Sequence, residues 1–159
     1  MFLQPSQYTI ATQSHDYPDW HQGREHYALW YIDIQQPEIL DYLHDLRQEF
    51  AHVLLQPNIR QFHITLFVCG FLTENSKKLD DDFPEYNIKL QQQLLEQLQL
   101  QPIILKIGAI QSFDSALYIE ILDHQNSLSK IRHQFYKQHQ EPAPLKYTPH
   151  ITLGLYHSE

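Results

Sequence analysis

His63-Ile64-Thr65-Leu66 recurs without change as His150-Ile151-Thr152-Leu153. In a β-strand successive side chains alternate faces, so within each copy the His and Thr point one way and the Ile and Leu the other. The chain holds eleven His, so a single His-x-Thr means little. It holds only six Thr, however, and two copies with identical flanks are hard to obtain by accident. Two imidazoles and two hydroxyls facing one groove is the expectation.

Working outward, each copy follows a strand and an amphipathic helix. Tyr27 to Ile34 is aromatic and β-branched and reads as a strand whose composition suits burial on both faces. Pro37 sits at a first helical position, and Ile39, Leu40, Leu43, Leu46, Phe50 and Val53 follow at helical spacing. Pro57 and Asn58 end that helix, and Phe62 to Cys69 is the first motif strand. Gly70 to Pro84, with its acidic run Asp80 to Asp82, reads as a solvated loop between lobes. Tyr86 to Leu100 is a Gln- and Leu-rich helix. Pro102 to Phe113 and Ala116 to Leu122 form a hairpin around Asp114-Ser115. A helix marked by Leu128, Ile131, Phe135 and Tyr136 stops at Glu141-Pro142-Ala143-Pro144, and Tyr147 to Tyr156 is the second motif strand. The shared order of strand, helix and motif strand suggests a duplication.

Bulk properties narrow the function. A chain of 159 residues suits one domain, 1–159, with 1–24 as an N-terminal extension. Cys69 is the only cysteine, so neither an internal disulfide nor a paired-Cys metal site can form. Met1 to Ser14 lacks the basic start and apolar core of a signal peptide, and no run is long enough to span a bilayer; a cytoplasmic protein without membrane contact is expected. The net charge of −8 argues against tight binding of duplex nucleic acid, leaving a small nucleotide or an RNA end as the compatible partner.

Imidazole gives or takes a proton near neutrality, and two of them can serve as acid and base on opposite sides of a phosphorus atom. The Thr hydroxyls would donate to the non-bridging oxygens. This needs no cofactor. Two His and two hydroxyls make a poor zinc set, so no metal is expected. The chain has neither a Gly-x-Ser-x-Gly elbow nor a Gly-rich phosphate loop.

The two motifs, their separation by about one lobe, the Pro102 to Leu122 hairpin and the final Tyr147-Thr148-Pro149-His150-Ile151-Thr152-Leu153 strand resemble the two-histidine phosphoesterase superfamily. That superfamily includes the bacterial 2′-5′ RNA ligase-like proteins and the cyclic phosphodiesterases. The resemblance covers about Tyr27 to Tyr156. It implies an α+β, bilobal, pseudo-symmetric fold, with two antiparallel sheets lining a central cleft and helices outside. It further implies metal-independent chemistry on 2′,3′-cyclic phosphates or 2′-5′ linkages, with His63 and His150 as acid and base and Thr65 and Thr152 as phosphate ligands. Hydrolysis with His150 as base and His63 as acid is the leading expectation, on a monomer. Ligation, degradation of a cyclic-nucleotide signal, nucleotide binding without turnover and His-rich metal binding are its rivals.

Other candidates lie around the motifs. Continued alternation places Phe67 on the His63 face and Tyr156 on the His150 face, where either would stack a base. Arg60 and Lys146 precede the motif strands, where a cation would meet phosphate. Trp20 and Arg24, in Asp19 to Arg24, belong to an arm that would cover the cleft or pack on the surface. The remaining His, His15 and His139 among them, read as surface or locally bonded groups.

Overall fold

The computed structural model describes residues 8–12, 17–74, 76–142 and 146–157. Along the chain run α1 (Pro18–His21), β1 (Tyr27–Asp33), α2 (Pro37–Glu49), β2 (His63–Thr73), β3 (Asp82–Pro84), α3 (Tyr86–Gln97), β4 (Lys106–Ser112), β5 (Ala116–Leu122), α4 (Ser127–Tyr136) and β6 (His150–Leu155). The strands form one six-stranded sheet in the order β1-β2-β6-β5-β4, with β3 parallel to the far end of β2 and every other pairing antiparallel. Where two sheets were expected there is one. Its halves, β1-β2 and β6-β5-β4, meet through a single paired position, Ile64 with Ile151.

Apolar periodicity explains where the helices sit. Leu43 and Leu46 of α2 and Leu128, Ile131 and Phe135 of α4 are buried, and they join Ile64, Ile119, Ile121, Ile151 and Leu153 in one core. α2 packs on β6 and α4 on β2, so each helix lies against the motif strand of the other half. Asp123 starts α4 by accepting the Ser127 and Leu128 amides at 2.9 and 2.8 Å, filling donors that a helix start leaves open.

Two expectations change. β1 is buried on one face only: Ala28, Trp30 and Ile32 face the core, and Tyr27, Leu29, Tyr31 and Asp33 face out. The Asp80 to Asp82 stretch is not simply solvated, because Asp82 is buried and both Asp81 and Asp82 pair with Arg24. Burial is tolerable there because the carboxylate of Asp82 also accepts the Lys78 and Leu79 amides. His139 is the hydrogen-bonded rather than the surface kind: half-buried, it bonds the Cys69 backbone and its ring meets Phe83 edge-on at 4.7 Å. Residues 1–7 and 13–16 of the N-terminal extension, including His15, and the Ala143-Pro144 stop lie outside the described residues. No described helix is long and apolar enough to cross a membrane.

Gly154 locks β6 to the segment that follows α2. A Cβ there would lie 2.6 Å from Asn58 Nδ2 and 2.9 Å from Leu54 Cδ1. Gly154→Ala is therefore expected to cost about 1–3 kcal/mol by overpacking, read as a lower urea midpoint. An unchanged midpoint would mean that this segment is free to shift.

Candidate active site

Ile64 and Ile151 are the joint between the halves, and both are buried on the helix side. Their neighbours therefore face away from the helices. Continuing the antiparallel register by one residue sets His63 across from Thr152 and Thr65 across from His150. The two His occupy a diagonal, with Cβ atoms roughly 7–8 Å apart in such a ladder. All four side chains are half-buried, and among the described residues neither Thr hydroxyl has a hydrogen-bond partner.

Both imidazoles are aimed the same way. His63 Nδ1 lies 3.1 Å from the Gln61 carbonyl and His150 Nδ1 lies 2.7 Å from the Thr148 carbonyl, in each case two residues back. A carbonyl only accepts, so Nδ1 carries the proton in both rings and the Nε2 atoms are left for a ligand. Burial pushes the His150 pKa below its ordinary value of 6.5, helped by the charges of Arg60 and His63 and opposed by the bond to Thr148. Near neutral pH His150 is thus a neutral ring with a free Nε2.

The pseudo-symmetry reaches the outer strands. On β1, Tyr31 pairs with Thr65 and Asp33 with His63; on β5, Tyr118 pairs with Thr152 and Glu120 with His150. Tyr31 meets His63 edge-on at 5.4 Å and is 47% exposed. His150 is walled by Tyr118 at 5.2 Å and Phe113 at 5.0 Å, which stack on each other. Asp33 is held below the usual carboxylate range by hydrogen bonds from Gln35 and Gln61, with a further contribution from His63.

Immediately beyond each Thr the strand bulges. The β1-β2 register steps from Tyr31↔Thr65 to Trp30↔Phe67, and the β5-β6 register from Tyr118↔Thr152 to Leu117↔Gly154. Leu66 and Leu153, the fourth residue of each motif, are the extra residues. A bulge moves everything after it to the other face. This overturns the placement of Phe67 and Tyr156 on the motif face. Phe67 is fully buried against Phe135 and Tyr136, and Tyr156 joins the core with its hydroxyl 2.6 Å from Ser112 Oγ.

Two buried arginines hold these bulges. Arg132 of α4 donates from Nη1 to the Leu66 carbonyl at 2.6 Å, and Arg47 of α2 donates from Nε to the Leu153 carbonyl at 2.9 Å. Each guanidinium lies 3.8 Å over an aromatic ring, Tyr147 for Arg132 and Phe62 for Arg47. On β2 the support is wider: Glu141 accepts from the Val68 amide, from Arg132 and from the Tyr136 hydroxyl, and the Tyr147 hydroxyl donates to the Thr65 carbonyl. Side chains thus satisfy the part of the β2 edge that β6 leaves unpaired.

A family model described as the 2′-5′ RNA ligase superfamily matches residues 35–159, including both motifs and both arginines. The chain belongs to this superfamily of two-histidine phosphoesterases. No curated protein and no solved structure matches it significantly. In this phosphoesterase superfamily member the structure brings His63, Thr65, His150 and Thr152 together and leaves other candidates elsewhere. Trp20 donates to Asp81 and packs on Phe71, and Arg24 lies 4.0 Å over that ring. Phe71 is eight residues beyond His63, roughly 25 Å along the strand. Arg60 is exposed, makes no hydrogen bond or ion pair among the described residues, and lies near enough to His150 to lower its pKa. Lys146 is exposed. Among the described residues no group of three His, Cys, Asp or Glu is placed to hold a metal ion.

Tyr31, Phe113, Tyr118, Arg47, Arg132 and Glu141 did not emerge as site residues from the motif alone. A signal for most of them is present in the sequence. Tyr31-Ile32-Asp33 recurs as Tyr118-Ile119-Glu120, and Leu46-Arg47-x-x-Phe50 recurs as Ile131-Arg132-x-x-Phe135.

Proposed function

We propose that this protein hydrolyses a 2′,3′-cyclic phosphate on a nucleotide or RNA end, or a 2′-5′ phosphodiester. The observation carrying this reading is the matched pair of Nδ1-to-carbonyl bonds, which frees both Nε2 atoms beside two unpartnered Thr hydroxyls. His150, kept neutral by burial, takes a proton from water as its oxygen bonds to phosphorus. His63 acts as the acid, giving its Nε2 proton to the ribose oxygen as the P–O bond breaks. The hydroxyls of Thr65 and Thr152 donate to the non-bridging oxygens, where charge develops. Tyr31 offers an exposed ring beside His63 for a base, and Arg60 a cation for a flanking phosphate. Proton exchange with solvent returns both rings to their starting states. The protein would act as a cytoplasmic monomer, with no metal or other cofactor in the reaction.

Mass spectrometry of products from a panel of 2′,3′-cyclic nucleotides, cyclic-phosphate RNA ends and 2′-5′ oligonucleotides tests this. Addition of one water to a panel member, undiminished by a chelator, is expected. Joining of ends would redirect the reading to ligation, and tight binding without product would make the chain a nucleotide-binding module. The acidic limb of kcat/KM is expected below pH 6.5, because the base must be deprotonated and its pKa is lowered. Arg60→Ala removes a positive neighbour and should move that limb to higher pH; a limb that stays in place would separate Arg60 from the base.

A further inference from the structure

The two halves differ in how they neutralise their buried arginine. Aligning Leu46-Arg47-x-x-Phe50 with Ile131-Arg132-x-x-Phe135 carries Gln56-Pro57 onto Glu141-Pro142, each nine residues beyond its arginine. Glu141 bonds both terminal nitrogens of Arg132. Gln56 is neutral and turns elsewhere, its Oε1 accepting from the Asn58 amide and its Nε2 donating to the Ala51 carbonyl. Arg47 is only 8% exposed, and its Nη2 has no hydrogen-bond partner among the described residues. A buried guanidinium without a counter-charge is costly.

Beside Arg47 lies a cavity of about 670 Å³, within the range of small-molecule sites. It opens on the α2 side of the sheet. Arg47, Arg60 and Asp45 are the arginine and carboxylate groups of its wall; Phe62, Ile59 and Leu40 give it apolar surface and Asn58 an amide. Arg60 lies close enough that its charge, after burial, helps lower the Arg47 pKa. Arg47 Nη2 is out of solvent contact, but its field reaches the cavity through a poorly screening wall.

We propose that this cavity binds a phosphate monoester of nucleotide size, whose phosphate faces Arg47 and Arg60 and supplies the negative charge that Glu141 supplies to Arg132. The site contains none of the four His-Thr groups, although it shares Arg60 with the groove, and it does not depend on the phosphodiesterase reading. Because Arg47 also holds the Leu153 carbonyl next to Thr152, occupancy would steady the β6 bulge.

Calorimetric titration of AMP into the full chain tests this, with adenosine and inorganic phosphate as separate arms. AMP is expected to bind and adenosine to fail. Phosphate should bind more weakly than AMP if the apolar wall contributes. Gln56→Glu places in the α2 half the carboxylate of the α4 half, and should fold at least as well while weakening AMP binding tenfold or more. Ala51→Phe, which fills the cavity without removing a charge, should do the same. The double variant His63→Ala/His150→Ala should bind AMP as wild type does. Absence of AMP binding at millimolar concentration, indifference to both cavity variants, or loss of binding in the His variant would each overturn the site.

Discussion

His150→Ala is expected to lower kcat on a 2′,3′-cyclic nucleotide by about 10²–10⁴-fold, with His63→Ala falling in the same range. The two losses have different causes, and substrate chemistry separates them. A leaving group of low pKa departs without protonation, so a nitrophenyl phosphodiester should recover most of its rate in His63→Ala and little of it in His150→Ala. The assignment rests on His150 being the ring held neutral by burial. The reverse pattern of recovery would exchange acid and base and leave the site intact. Full activity in both variants would remove the histidines from the chemistry. The double variant should lose far less than the product of the single losses, because the pair acts in one transition state.

Glu141→Ala is expected to destabilise the fold by about 3–5 kcal/mol, because it strands the buried Arg132 guanidinium without its partner. Arg132 and Glu141 have side chains only 8% and 9% exposed, so water replaces little of what is lost. Urea unfolding measures the change. The double variant Arg132→Met/Glu141→Leu should recover a large part of it, since no charge is then left buried. A loss below about 1 kcal/mol would place the pair among ordinary surface bridges. The pair also predicts acid sensitivity. Burial alone would raise the Glu141 pKa, but hydrogen bonds from Arg132, Tyr136 and the Val68 amide outweigh it and hold the pKa below the usual range. The unfolded chain therefore binds this proton more readily than the folded one. The contribution is complete above the unfolded value of about 4.3 and is lost as pH falls through the lower folded value.

The repeated tetrapeptide made much of the molecule legible because side-chain alternation is a local rule. Within His63 to Thr65 and His150 to Thr152 the strand is regular, and the expected faces agree with the buried Ile64 and Ile151. One residue further the rule failed twice for one reason. Leu66 and Leu153 bulge; no glycine or turn residue beside Leu66 announces the first, and the one local cue to the second is Gly154, directly after Leu153. Phe67 and Tyr156 consequently turn into the core. The helices were readable from their apolar spacing, but the arginines within them looked like ordinary polar positions. Trp20 and Arg24 looked like an arm for the cleft because their aromatic and cationic character suits nucleotides. The same character suits Phe71, Asp81 and Asp82, which lie between 47 and 62 residues away in the chain.

The sequence by itself determined the duplicated strand-helix-strand plan, the superfamily and the four groups of the candidate site, since each depends on spacing over a few residues. Only the tertiary structure decided that the two halves share one sheet joined at Ile64 and Ile151, and that each motif is braced by an arginine from the helix of the other half. It also decided that one of those arginines is neutralised and the other is not. These are contacts between distant segments, set by packing on a common core, and no local pattern specifies which buried charge meets which carbonyl or carboxylate.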